Sequence, residues 1–122
     1  MTTKELVKQW TLQNVDSGRA SNLSFQGREL ISYKTVVARM HYNGAKGCGL
    51  FTTAYYSKTT TAHINRARTA CSHVGNYHFI VPIIDPLTKK DHLENISHIL
   101  KTTYTSELAD AYKKFFLKEE IK

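Results

Sequence analysis

Apolar residues along this chain follow two periods. From Asn22 to Tyr42 they alternate with polar neighbours: NLSFQ sets Leu23 and Phe25 among polar residues, ELISYK follows Gly27, and TVVARMHY covers 35–42. In the last stretch Val36, Ala38, Met40 and Tyr42 fall on one face and Thr35, Val37, Arg39 and His41 on the other, the pattern of a half-solvated antiparallel strand. Asn43-Gly44 tolerates positive φ and predicts a hairpin, with GLFTTAYY (49–56) as the returning strand. DSGRASN (16–22) reads as a turn-rich break before this series.

The second period is helical. KELVKQWTL (4–12) places Leu6, Val7 and Trp10 on one side of a short helix. From Thr60 to Val74, the residues Ile64, Ala67, Cys71 and Val74 recur on one side of a longer one. The hydroxyls before it supply an N-cap and Gly75 fits its stop. NYHFIVPII (76–84) reads as a buried strand that Pro82 confines to an edge or ends. After Asp85-Pro86, Leu93, Ile96, Leu100 and Thr103 form one face over 88–103, with Ile99 beside them. Leu108, Ala111, Tyr112, Phe115 and Phe116 do so over 106–120, and Thr105 or Ser106 caps this second helix. The predicted fold is α+β: a mainly antiparallel β-sheet of 4–5 short strands, a central helix and two C-terminal helices. One domain spans 1–122, with a short N-terminal segment 1–16, sheet plus central helix over 17–84, and a C-terminal helical pair over 87–122. A chain of 122 residues is expected to bury one modest core.

Charge changes this picture. The net charge is +7, yet no Asp or Glu occurs from Leu30 to Ile84, where Lys34, Arg39, Lys46, Lys58, Arg66 and Arg68 all fall. Residues 87–122 carry seven lysines against six acids. A basic part joined to a balanced part predicts a surface that faces a polyanion. The opening MTTKELVKQW lacks the basic-then-apolar layout of a secretory signal, and FIVPII falls far short of the roughly 18 apolar residues of a membrane span. No membrane partner is expected. With only Cys48 and Cys71, a cytoplasmic protein with reduced thiols is.

The candidate chemistry centres on YYSKTTTAHINRAR, residues 55–68. A helix N-terminus attracts anions; Ser57, Thr59, Thr60 and Thr61 add hydroxyl donors there and Lys58 a mobile charge. Arg66, Thr69 and His73 line a stripe suited to a phosphate backbone, and His63 shares the helix. No glycine-rich run precedes it, which excludes a P-loop. Arg39 and His41 share a strand face with some of Lys34, Phe51, Thr53 and Tyr55, a stacking platform if the register holds. The candidate nucleic-acid- or anion-binding set is therefore Arg39, His41, Ser57, Lys58, Thr59, Thr60, Thr61, His63, Arg66, Thr69 and His73.

His41, Cys48, His63, Cys71 and His73 lack the paired spacing of structural zinc, so no metal and no cofactor is expected. A metal-dependent nuclease would need Asp16, Glu29 or Asp85 to converge, and a metal-free phosphodiesterase would draw on His41, His63, His73 or His78. No spacing indicates either, and the chain reads as non-enzymatic with no catalytic residue assigned. In YKKFFLKEE (112–120), Phe115 and Phe116 are expected on the sheet; left exposed, they would make the C-terminal helices a homodimer or partner contact.

NLSFQGRELISYKTVVAR followed by LFTTAYYSKTTTAHINRAR resembles a motif of small phage and mobile-element proteins, with the pattern FxGxxLxSY … YSxTTxxH over roughly residues 17–73. That family has no agreed biochemical function. The resemblance carries over Phe25, Gly27, Ser32, Tyr33, Tyr56, Ser57, Thr59, Thr60 and His63, and implies nucleic-acid binding, regulation of expression or disabling of a host defence nuclease. The leading expectation is a small basic non-enzymatic binder of nucleic acid or another polyanion. One alternative is an anti-CRISPR-like inhibitor that meets the acidic surface of a host nucleic-acid-handling protein, in the host cytoplasm if phage-encoded. Another is a nucleotide-binding or metal-free phosphodiester-cleaving protein.

Overall fold

In the computed structural model, residues 1–54, 56–103 and 106–117 are described, and they form four helices and a six-stranded sheet. Helix α1 (Thr3–Leu12) starts at Thr2, whose hydroxyl accepts the Glu5 N–H and donates to the Glu5 carboxylate, both at 3.1 Å. The first of these bonds satisfies one of the N–H groups that the first turn leaves open, and the second holds the Glu5 carboxylate at the helix start. Strands β1 (Ser17–Ala20), β2 (Leu23–Gln26), β3 (Glu29–Ser32), β4 (Thr35–Asn43) and β5 (Lys46–Thr52) follow as antiparallel neighbours. Helix α2 (Lys58–His73) then crosses over to β6 (Tyr77–Val81), which pairs parallel with β5 at the sheet edge. Helices α3 (Lys89–Thr103) and α4 (Ser106–Phe116) complete the α+β fold. Among the described residues no helix is long and apolar enough to cross a membrane.

The sheet separates two apolar layers where the sequence predicts one core. On one face, Leu6, Val7 and Trp10 of α1 and Ile64, Ala67 and Cys71 of α2 meet Phe25, Leu30, Met40 and Phe51. On the other, Ile96 and Ile99 of α3 and Ala109, Tyr112 and Phe115 of α4 meet Cys48, Leu50, Phe79 and Val81. The cause lies in β5, buried at every position from Gly47 to Phe51, so that its alternate side chains serve opposite layers.

Several elements depart from the sequence reading. The stretch 16–22 holds β1 rather than a bare break. Gly18 lies opposite Phe25, and a Cβ there would stand 2.7 Å from the ring, so glycine lets this strand close over it. A bulge between Leu30 and Ile31 pairs these with Ala38 and Val36, leaving the buried Val37 between and breaking the simple alternation of 35–42. The returning strand runs 46–52, not 49–56; Tyr55 lies outside the described residues, as do Thr105 and Lys118. Val74 is 40% exposed instead of joining the α2 core stripe.

In α3 the buried residues are Asn95, Ile96 and Ile99, while Leu93 and Leu100 are exposed. A polar side chain sets this rotation. The Asn95 carbonyl accepts the Ile83 N–H at 3.0 Å, and its amide donates to Ile83 O at 2.8 Å and to the Tyr112 hydroxyl at 2.9 Å. Turning the helix toward Leu93 would leave these buried groups unpaired, which costs more than exposing a leucine.

Candidate nucleic-acid interface

The first turn of α2 is tied to the sheet by a line of hydroxyls. Ser57 caps the helix, accepting the Thr60 N–H at 3.1 Å and donating to Thr60 Oγ1 at 3.2 Å. Thr60 Oγ1 lies 2.9 Å from Ser32 Oγ on β3, and Ser32 Oγ lies 2.9 Å from His63 Nδ1. With Ser57 donating, one proton order satisfies the line: Thr60 donates to Ser32, and Ser32 donates to an unprotonated Nδ1. That order takes neutral His63, the form that burial, followed by the nearby Arg66 charge, favours by lowering its pKa. Thr61 donates backward to Ser57 O at 3.0 Å.

The hydroxyls of Ser57, Thr60 and Thr61, together with His63 Nδ1, are thus engaged within the fold rather than offered to an anion. The reason is a partner 28 residues away from Thr60 that helical spacing does not reveal. Lys58 and Thr59 remain exposed on the first turn. Tyr33 and Tyr56, both exposed, stand next in sequence to Ser32 and Ser57.

Replacing Ser32 by alanine leaves the buried Thr60 hydroxyl and His63 Nδ1 without their common partner, and is expected to cost about 1–3 kcal/mol. Urea denaturation reads this directly. A loss below about 0.5 kcal/mol would mean that this line does not hold α2 to the sheet.

The stripe of Arg66, Thr69 and His73 has a different fate. It forms one bank of a groove of about 610 Å³ between α1 and α2. Lys4 and Lys8 form the facing bank, Asn65 joins the α2 side, and Val7, Ala70 and Val74 supply apolar surface between them. Among the described residues no carboxylate lines it. Glu5, the acid of α1, is held at the helix start by Thr2, where the helix dipole offsets its charge. The α1 bank went unassigned in the sequence. Its signal was present, since Lys4 and Lys8 stand i, i+4 beside the Leu6–Trp10 stripe, but nothing in the chain says which helix they face.

Arg39 and His41 are not part of this surface, which corrects their placement beside it. Register puts them opposite Leu50 and Cys48, on the α3/α4 face of the sheet. Arg39 pairs with Glu29 at 3.5 Å and Asp85 at 3.4 Å. His41 Nε2 donates to Ile84 O at 2.8 Å and its ring meets Phe116 edge-on. Nor is Phe51 on an open platform: it packs edge-on against Trp10 in the other layer, with centroids 5.7 Å apart.

The remaining soft ligands are dispersed. Cys48 and Cys71 are free thiols in separate layers, and burial pushes the Cys71 pKa up to about 12. His78 sits between two partners: Arg68 Nε donates to its Nδ1 at 3.4 Å, so Nε2 donates to Ser72 Oγ at 2.9 Å. Burial, then the Arg68 charge, lowers its pKa. Among the described residues no three His, Cys, Asp or Glu groups are placed to hold a metal ion.

No curated protein and no solved structure matches the chain. A family of unknown function matches residues 2–79, from α1 to Phe79 in β6, leaving α3 and α4 outside. The groove and the Ser32–His63 line both fall inside the matched residues, and the chain belongs to that family, DUF8033.

Proposed function

We propose that this protein binds nucleic acid, without catalysing a reaction, through the groove between α1 and α2. The observation that carries the reading is the lining itself: Lys4, Lys8 and Arg66, with His73, flank one concave surface that no carboxylate borders among the described residues. Three cations on two facing helices supply the sequence-independent attraction that phosphates give to a basic cleft. Asn65 and Thr69 add neutral hydrogen-bonding groups on the α2 bank, although the Thr69 hydroxyl already donates to Asn65 O at 3.0 Å. The absence of acid throughout α2 keeps the field of one sign along the helix.

Fluorescence anisotropy with a labelled oligonucleotide tests this. If the three cations each meet one phosphate, affinity for a single strand falls about 20-fold between about 50 and 200 mM salt, from a slope near −0.7 per contact. Absence of binding at low salt would remove the reading, and binding indifferent to salt would remove its electrostatic basis.

A further inference from the structure

A site that only followed phosphates would be polar throughout, and this groove is not. Its accessible floor is Ala70 and Val74, laid over the buried Val7, and Val74 remains 40% exposed at the C-cap of α2. An apolar strip lying open between two cationic banks suits a ligand that is anionic along its margin and apolar at its centre. Lys4 and Lys8 stand one helical turn apart on one bank, with Arg66 and His73 on the other. The volume of about 610 Å³ falls in the range of pockets that enclose small ligands, roughly 300–1,000 Å³.

Duplex and single strand differ in what they offer such a floor. A duplex keeps its base faces stacked inside and presents phosphate ridges and base edges, so it would touch the banks and leave Val74 bare. A single strand has base faces free to cover apolar surface, and that contact tolerates any base. We infer that the groove selects single-stranded over duplex nucleic acid, seating an unstacked base on Ala70 and Val74 while the neighbouring phosphates meet Lys4, Lys8 and Arg66. This inference rests on the nucleic-acid reading of the same groove.

The test compares one labelled DNA oligonucleotide, alone and annealed to its complement, by anisotropy at a single low salt concentration. The single strand is expected to bind about fivefold or more tightly. Val74→Lys adds a cation while removing floor, so it should hold or raise duplex affinity and bring the ratio of the two affinities toward one. A ratio near one already in the unsubstituted protein overturns the inference while leaving the groove a binder of phosphate backbones. Displacement of the strand by poly-glutamate as readily as by an unlabelled strand of equal charge also overturns it, in favour of an acidic protein segment. Binding of neither DNA form refutes both this inference and the reading beneath it.

Discussion

Substituting Lys4, Lys8 and Arg66 together by alanine is expected to lower affinity for a single-stranded oligonucleotide by at least about 10-fold at low salt and to flatten its salt dependence. Each phosphate contact with a single strand contributes about −0.7 to the slope of log affinity against log salt, so removing three takes away about two units. The drop that the unsubstituted protein shows between low and physiological salt should then nearly vanish. All three side chains are exposed on helices that keep their buried faces, so the fold is expected to persist, which thermal melting checks. Arg39→Ala provides the contrast. The sequence groups Arg39 with these cations, yet the sheet stands between them and Arg39 is engaged with Glu29 and Asp85. Affinity within about twofold of the unsubstituted protein is expected for Arg39→Ala, since it reaches no phosphate in the groove. An equal loss from Arg39→Ala and from the triple variant would show that general charge, and not the groove, carries binding.

Trp10→Ala is expected to destabilise the fold by about 3–5 kcal/mol, a large part of the roughly 5–15 kcal/mol available to a domain. Trp10 is fully buried, its ring meets Phe51, and its indole N–H donates to Arg28 O at 2.9 Å, joining α1 to the β2–β3 connection. Deleting it opens a cavity beneath the helix and removes one of the two hydrogen bonds that Arg28 O accepts, the other coming from the Met40 N–H at 2.9 Å. Lys4 and Lys8 ride on the same helix, so oligonucleotide affinity should decline together with the denaturation midpoint. A change below about 1 kcal/mol would mean that α1 is held chiefly by other contacts, and the facing bank with it.

How much of this was legible in the chain varies with the range of the physics involved. A hydroxyl as cap, α2 as a helix and a strand within 76–84 that Pro82 limits follow from neighbours within a few residues; that the cap is Ser57 is seen in the structure. Strand β1 was missed because its pairing depends on Gly18 yielding to the Phe25 ring, a contact between strands rather than a local preference. The bulge at Val37 is of the same kind, since it is defined by which β3 residue lies opposite. The stripe of Arg66, Thr69 and His73 was readable from helical spacing alone. Its counterpart Lys4–Lys8 was readable as a stripe but not as a counterpart. The threonine run is ambiguous for a complementary reason: hydroxyls at a helix start are equally suited to an anion or to a buried serine, and only the structure shows Thr60 beside Ser32.

By itself, then, the order of residues determined the four helices and most of the strands, where acid is excluded, and that one helix carries cations on its outer face. Those features depend on backbone preference and on composition, which act over one or two turns. Only the tertiary structure decided that α1 lies beside α2 to make a groove, that Arg39 and His41 belong to the opposite face, and that the capping hydroxyls turn inward. Each of these is a choice among partners distant in the chain, made by the burial of whole faces and the pairing of buried polar groups, and no local pattern encodes the partner.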